Sequence, residues 1–140
     1  MLETALICLA LNIYFEARNQ DVVGQVAVAE VVMNRVKDPR YPDNICDVVM
    51  QGPVYVHNAF PVRHKCQFSW YCDGKSDKAK EESAFDSAYI VAQLVIRNDY
   101  APVTKGATHY HADYILPDWA ETKTVTNIIG NHVFYRWERK

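Results

Sequence analysis

No apolar run in this chain approaches the ~20 residues that cross a bilayer as a helix, so no membrane span is expected. An excess of either charge is missing too. Lys and Arg number 15 against 17 Asp and Glu, and a near-neutral chain has no basic face to draw nucleic acid. Internal repeats, low-complexity tracts and Gly/Ser linkers are absent. With 49% hydrophobic residues, the disordered class is excluded. There is no Gly-rich phosphate loop, no G-x-S-x-G and no H-E-x-x-H, which removes the motif basis for three common enzyme chemistries. No C-x-x-C pair is present, which argues against an all-cysteine zinc site. The apolar stretch from Met1 to Leu11 has no Lys or Arg before it, and Glu3 interrupts it. That makes a poor signal peptide, so release by another route or a trimmed mature domain is expected.

What is there fits one domain over residues 1–140, large enough to bury about two thirds of its unfolded surface. The cysteines are Cys8, Cys46, Cys66 and Cys72. Four cysteines allow three disulfide pairings, and the spacing does not choose among them. A mixed zinc site with His57 and His64 has no supporting ligand spacing.

Leu6, Ala10, Ile13 and Ala17 recur at helical spacing and predict a first helix from Glu3 to about Arg18. Asn19-Gln20-Asp21 breaks it, and Asp21 is placed to cap a second helix from Val22 to about Val36. That helix is apolar on nearly all sides and should be central. The prolines of Asp38-Pro39-Arg40-Tyr41-Pro42 remove backbone donors and end it. A short helix is expected over Asn44–Gln51, then an irregular aromatic segment over Gly52–Asp77. A long helix should start at Ser76 or Asp77 and run to about Asn98. The period then changes. Thr108-His109-Tyr110-His111 alternates as a strand does, and Thr124–Ile129 and His132–Arg136 read as strands joined by Gly130-Asn131. The expected class is α+β, mainly α, with a small antiparallel sheet in the C-terminal third.

Three constellations can carry chemistry. Glu16 ends an apolar helix, where lost solvation raises a carboxyl pKa and suits it to general acid work; the plainer alternative is an ion pair with Arg18 or Arg35. Glu30 is expected to make an interhelical hydrogen bond. The run Cys66-Gln67-Phe68-Ser69-Trp70-Tyr71-Cys72-Asp73-Gly74 combines amide, hydroxyl and aromatic groups. Such groups suit a sugar's hydroxyl edges and apolar faces; equally, Phe68 and Trp70 can plug the core. His109 and His111 share a strand face, with His132 nearby in sequence. Without a third ligand they read better as hydrogen-bonded histidines beside a groove than as a metal site.

These residues resemble a known family. Tyr14-Phe15-Glu16-Ala17-Arg18, Gly24-Gln25-Val26-Ala27-Val28-Ala29 and Val32-Met33-Asn34-Arg35-Val36 are similar to the opening of the SleB-type cell wall hydrolases. Cys66-Gln67-Phe68-Ser69, Cys72-Asp73-Gly74, Gly106-Ala107-Thr108-His109-Tyr110 and Ile129-Gly130-Asn131-His132-Val133-Phe134-Tyr135 continue the match in family order. The resemblance implies a lysozyme-like fold and cleavage of the N-acetylmuramic acid to N-acetylglucosamine bond of peptidoglycan. It implies a lytic transglycosylase with Glu16 as the acid, and with Phe15 where many relatives have Gly. It implies a groove lined by Gln67, Ser69, Trp70, Tyr110, His111, Asn131, His132 and Tyr135. No cofactor is implied, and the partner is the glycan strand, met by a monomer in the periplasm or cell wall. The targeting regions of the spore enzymes are not matched, which points to a phage lysis protein or a trimmed bacterial enzyme. Work outside the cytosol implies disulfides.

A two-carboxylate hydrolase needs a second acid across the bond, and Asp73 is the one such residue in a matched block. The rival readings are a hydrolytic muramidase, a metal-dependent amidase or peptidase using His109, His111 and a cysteine, and a non-catalytic wall-binding module.

Overall fold

Leu9, Ala10 and Ile13 fall on one face of α1 (Leu2–Ala17) and are fully buried, with Tyr14 beside them. The computed structural model describes residues 2–138; Met1, Arg139 and Lys140 lie outside the described residues. α2 (Val22–Lys37) starts as expected: the Asp21 side chain accepts from the Gly24 N–H at 3.0 Å. Its residues from Gly24 to Val32 are all buried, which is the central placement that its apolar sequence requires. α3 (Ile45–Val49) is capped by Asn44, whose side chain accepts from the Asp47 N–H. α4 (Glu82–Ile96) packs on α1 and α2.

The start of α4 differs from the sequence expectation by several residues. Helix was expected from Ser76 or Asp77, but residues 77–81 are not helical. Tertiary bonds hold this segment out: the Glu81 N–H donates to the Tyr14 hydroxyl at 3.0 Å, and Glu81 pairs with Arg18 at 3.4 Å. The segment over residues 52–77 is irregular as expected, apart from an isolated bridge between Val54 and Pro61 and a 3₁₀ turn, Ser69–Cys72.

The sheet comprises β1 (His109–Ala112), β2 (Thr124–Ile129) and β3 (His132–Arg136), in the order β1-β3-β2, antiparallel throughout. The β2 and β3 bounds are those expected, and the α+β, mainly α, class stands. Between them Gly130 has φ +55°, and a Cβ there would run into Gln20 Oε1. The turn is thus seated on the α1–α2 connection, where Gln20 Oε1 also accepts from the Asn131 N–H at 3.3 Å. A second 3₁₀ turn, Asp118–Thr122, was not legible in the sequence.

The cysteines form Cys8–Cys46 and Cys66–Cys72. The first ties α1 to α3 across 38 positions, and the second closes a 6-position loop. Loop-closure entropy makes the longer bridge worth about 4 kcal/mol and the shorter about 2 kcal/mol.

Glu30 corrects another expectation. Its carboxylate does not reach a second helix. It accepts the N–H groups of Val103 and Thr104, each at 2.8 Å, and the Thr104 hydroxyl. Glu30 is 2% exposed and Thr104 fully buried. A buried carboxylate with this many donors is satisfied within the chain, and it fixes the loop that leads into β1. Further along that loop, Asn34 Nδ2 donates to Ala107 O at 2.8 Å and Arg35 Nε to Thr108 O at 2.7 Å.

Candidate active site

Side-chain alternation gives the sheet two different faces. Tyr110, His132 and Phe134 share one: the Tyr110 ring lies 5.0 Å from His132 and 5.5 Å from Phe134. His109, His111 and Tyr135 share the other, where all three pack around Trp119 at 5.0, 5.8 and 5.2 Å. β1 is therefore the element that divides the histidines, and only the first face turns toward the end of α1.

Glu16 sits there. Its Oε1 accepts a hydrogen bond from the Tyr110 hydroxyl. Neither arginine forms the ion pair that the plainer reading allowed. Arg18 pairs with Glu81 instead, its guanidinium 4.7 Å from the Tyr14 ring centre. Arg35 is buried, donates to Thr108 O, and lies between the rings of Tyr41 and Phe68 at 5.1 and 5.2 Å. The Glu16 pKa is raised above its ordinary value of 4.5 because burial disfavours the charged carboxylate; the Tyr110 hydrogen bond and the Arg35 charge pull the other way without cancelling it. The same burial, reinforced by the negative charge of Glu16, raises the Tyr110 phenol well above 10, so it stays a donor.

Glu16 opens into a cleft of about 250 Å³ formed by the last turn of α1, the α1–α2 connection, the end of β1 and the β2–β3 turn. Phe15 and Arg18 form one end. Asn19, Gln20, Asn131 and His132 supply polar groups, and Tyr114 stands over the opening, 83% exposed. Glu16 is the one carboxylate in this lining among the described residues. His132 is 8% exposed and its Nδ1 has no partner within the described protein. Burial lowers its pKa, which Asp113 partly offsets.

The structure sorts the residues expected in the groove. Glu16, Tyr110, Asn131 and His132 come together. His111 and Tyr135 do not: both lie on the far face, where the Tyr135 hydroxyl and His111 Nε2 are 2.7 Å apart. His111 Nδ1 lies 2.7 Å from Ala112 O, an acceptor only, so Nδ1 carries the proton and Nε2 accepts from Tyr135. Trp70 is a core residue. It is 8% exposed, donates from Nε1 to Asn12 Oδ1 at 2.9 Å, and stacks on Phe15 at 4.9 Å. It supports the wall of the cleft from behind. Gln67 and Ser69 are exposed but do not line the cleft, and the Gln67 N–H is bonded to Gln51 O. Asp73 accepts the Lys75 N–H at 2.8 Å and is likewise outside the lining.

The metal-centred rival does not assemble among the described residues. Every cysteine is in a disulfide, both ring nitrogens of His111 are engaged, and no three His, Cys, Asp or Glu side chains are grouped to hold an ion. Sequence reasoning missed Tyr114, Gln20 and Asn19. The one signal for Tyr114 was an apolar triplet, Tyr114-Ile115-Leu116, placed between a strand and Pro117 where no core-facing period continues.

The Tyr110 bond makes a prediction. Tyr110→Phe removes a donor to the carboxylate, so the Glu16 pKa rises further. Activity that needs protonated Glu16 should then persist to higher pH, while the rate at the optimum falls about tenfold with the loss of one bond to a charged group. A pH–rate profile checks it. An alkaline limb that stays put or moves down would mean that Tyr110 does not tune the acid.

Comparison with known proteins places the chain. Residues 19–135 match the family model described as Cell Wall Hydrolase. The match begins three positions after Glu16. Spore cortex-lytic enzymes are similar to it: that of Halalkalibacterium halodurans is 31% identical over 127 residues, covering 90% of this chain and 33% of the relative. That of Bacillus subtilis is 25% identical over 126 residues, covering 90% and 35%. The chain thus spans about a third of the length of these relatives. Two solved structures share its fold. The catalytic domain of the Bacillus cereus SleB protein superposes with a TM-score of 0.67 at 24% identity, covering 96% of this chain and 91% of that one. The catalytic domain of the germination-specific lytic transglycosylase SleB from Bacillus anthracis superposes with a TM-score of 0.68 at 25% identity, covering 94% and 93%. The fold is the lysozyme-like fold of these SleB domains, as expected from the sequence, and the chain belongs to the cell wall hydrolase family.

Proposed function

We propose that this chain, acting as a monomeric catalytic domain on peptidoglycan outside the cytosol, cleaves the β-1,4 bond between N-acetylmuramic acid and N-acetylglucosamine as a lytic transglycosylase. One observation carries this reading: among the described residues a single carboxylate, Glu16, lines the cleft, with its pKa raised by burial. Retaining and inverting hydrolases of the common kind need two carboxylates across the bond. A transglycosylase needs one. Protonated Glu16 gives its proton to the glycosidic oxygen, the C1–O bond breaks, and the N-acetylglucosamine side leaves with a free 4-hydroxyl. The muramic 6-hydroxyl attacks the oxocarbenium-like C1 and returns its proton to Glu16. No water is consumed, and the product is a 1,6-anhydro sugar. The likeness to a domain named as a lytic transglycosylase supports the same reading.

Tyr110 holds Glu16 in place, and Asn131, His132 and Gln20 offer hydrogen bonds to sugar hydroxyls and N-acetyl groups. Tyr114 offers a ring face. Glu16 works by direct protonation, so no cofactor is required. Digestion of purified peptidoglycan followed by mass analysis tests the reading. Muramic ends lighter by one water are expected. Reducing ends would overturn it in favour of a muramidase, and intact strands with severed peptides would place the activity among amidases.

A further inference from the structure

The Glu16 cleft does not stop at Phe15 and Arg18. A second cleft of about 260 Å³ begins at the same two side chains and continues along the segment leading to α4. Its lining carries Lys75, Lys78 and Lys80 together with Glu81. Glu81 is already paired with Arg18. The three lysines have no carboxylate partner among the described residues, and the acids of the same segment, Asp73 and Asp77, lie outside the lining. This arm is held at both ends: Cys66–Cys72 closes the loop before it, and the Glu81 N–H on Tyr14 fixes it to α1. The Lys75 and Lys78 N–H groups bond the side chains of Asp73 and Ser76, which sets the turn between.

The sugar rings and their N-acetyl groups are neutral, so three ammonium groups without a carboxylate partner beside the cleft have nothing to pair with there. On a peptide-bearing strand the lactyl carboxyl of muramic acid is tied up as an amide, and the anionic groups are the carboxylates of the attached peptide. We propose that Lys75, Lys78 and Lys80 form a subsite for those peptide carboxylates, making the enzyme selective for peptide-bearing strands; this rests on the glycan-cleaving reading above. Fixed cations beside a cleft raise the local concentration of anionic substrate, and the effect is screened by salt.

The test compares glycan strands bearing their peptides with strands stripped by an amidase and then amidated at the freed lactyl carboxylate, both first freed of phosphate polymers. The ratio of kcat/KM is measured, and so is the ratio of affinities for fluorescently labelled strands. Both ratios should favour peptide-bearing strands about fivefold to tenfold, the scale of three exposed ion pairs. Both should fall toward one in K75Q/K78Q/K80Q and in high salt. Damage to the fold would lower both arms and leave the ratio, so the ratio separates the two. Equal handling of the two strands by the wild type, or a preference that survives in the variant, would overturn the subsite. A preference seen only when phosphate polymers are restored would overturn it in favour of phosphate. If neither strand is cut while the lysine-dependent binding preference persists, the catalytic reading fails and the subsite stands.

Discussion

Glu16→Gln should lower strand cleavage by on the order of 10³-fold or more, within or above the range for loss of a general acid. The substitution keeps the side-chain volume and leaves an oxygen that accepts from Tyr110, so the cleft survives. What disappears is the proton, and among the described residues no other carboxylate lines the cleft to supply one. Release of soluble muropeptides from purified walls, followed over time, measures the effect. A variant that keeps the wild-type rate would remove Glu16 from the chemistry.

The same variant should be more stable than the wild type at neutral and alkaline pH. Burial raises the Glu16 pKa above 4.5 in the folded protein, so the folded state holds a proton that the unfolded chain releases. With more protons bound in the folded state, stability falls as pH rises from the unfolded value through the folded one. Below 4.5 both states are protonated and the difference vanishes. Thermal unfolding at pH 4 and pH 8 should therefore show the two proteins diverging only at the higher pH, with the Gln variant ahead. The charged form of Glu16 is costly to the fold, and that cost is the physical reason the side chain holds its proton to higher pH.

Glu30→Ala is expected to give the largest stability loss, about 3–5 kcal/mol. It strands the N–H groups of half-buried Val103 and buried Thr104 and the Thr104 hydroxyl, all of which now end on the carboxylate. Glu30→Gln should cost less, because the amide oxygen still accepts while its NH₂ faces donors. Urea titration of both variants gives the ordering. A loss below about 1 kcal/mol for the alanine variant would mean that the loop finds other acceptors. Activity should fall along with stability, since the Glu30-anchored loop precedes the backbone that Asn34 and Arg35 grip and then the strand carrying Tyr110. Glu30 acts through that loop, and it does not line the cleft.

Much of this was legible beforehand, for local reasons. Asp21 and Asn44 sit where orphan N–H groups need acceptors, and both cap. Gly130-Asn131 allows the turn that aligns β2 with β3. Glu16 was identifiable because its apolar neighbours and its place in a matched sequence block are properties of the chain itself. The errors share a different origin. Tyr135 lies in a matched block and His111 directly follows one, yet one step along a strand turns a side chain to the opposite face. Trp70 is a good sugar platform by composition, but Asn12 and Phe15 take its N–H and its ring face. The start of α4 follows helical propensity only until Tyr14, 67 positions away, claims the Glu81 N–H.

Caps, turns and periodicity act over a few residues, so the main helices and strands, the apolar setting of one carboxylate and the family could be read along the chain. The disulfide pairing, the division of the histidines between two sheet faces and the partner of Glu30 came from packing. So did the placement of Glu16 as the one carboxylate, among the described residues, of a cleft that leads on to three lysines. Each of these depends on which distant segments share one volume, and a buried donor or charge is satisfied by whatever the packing brings within reach.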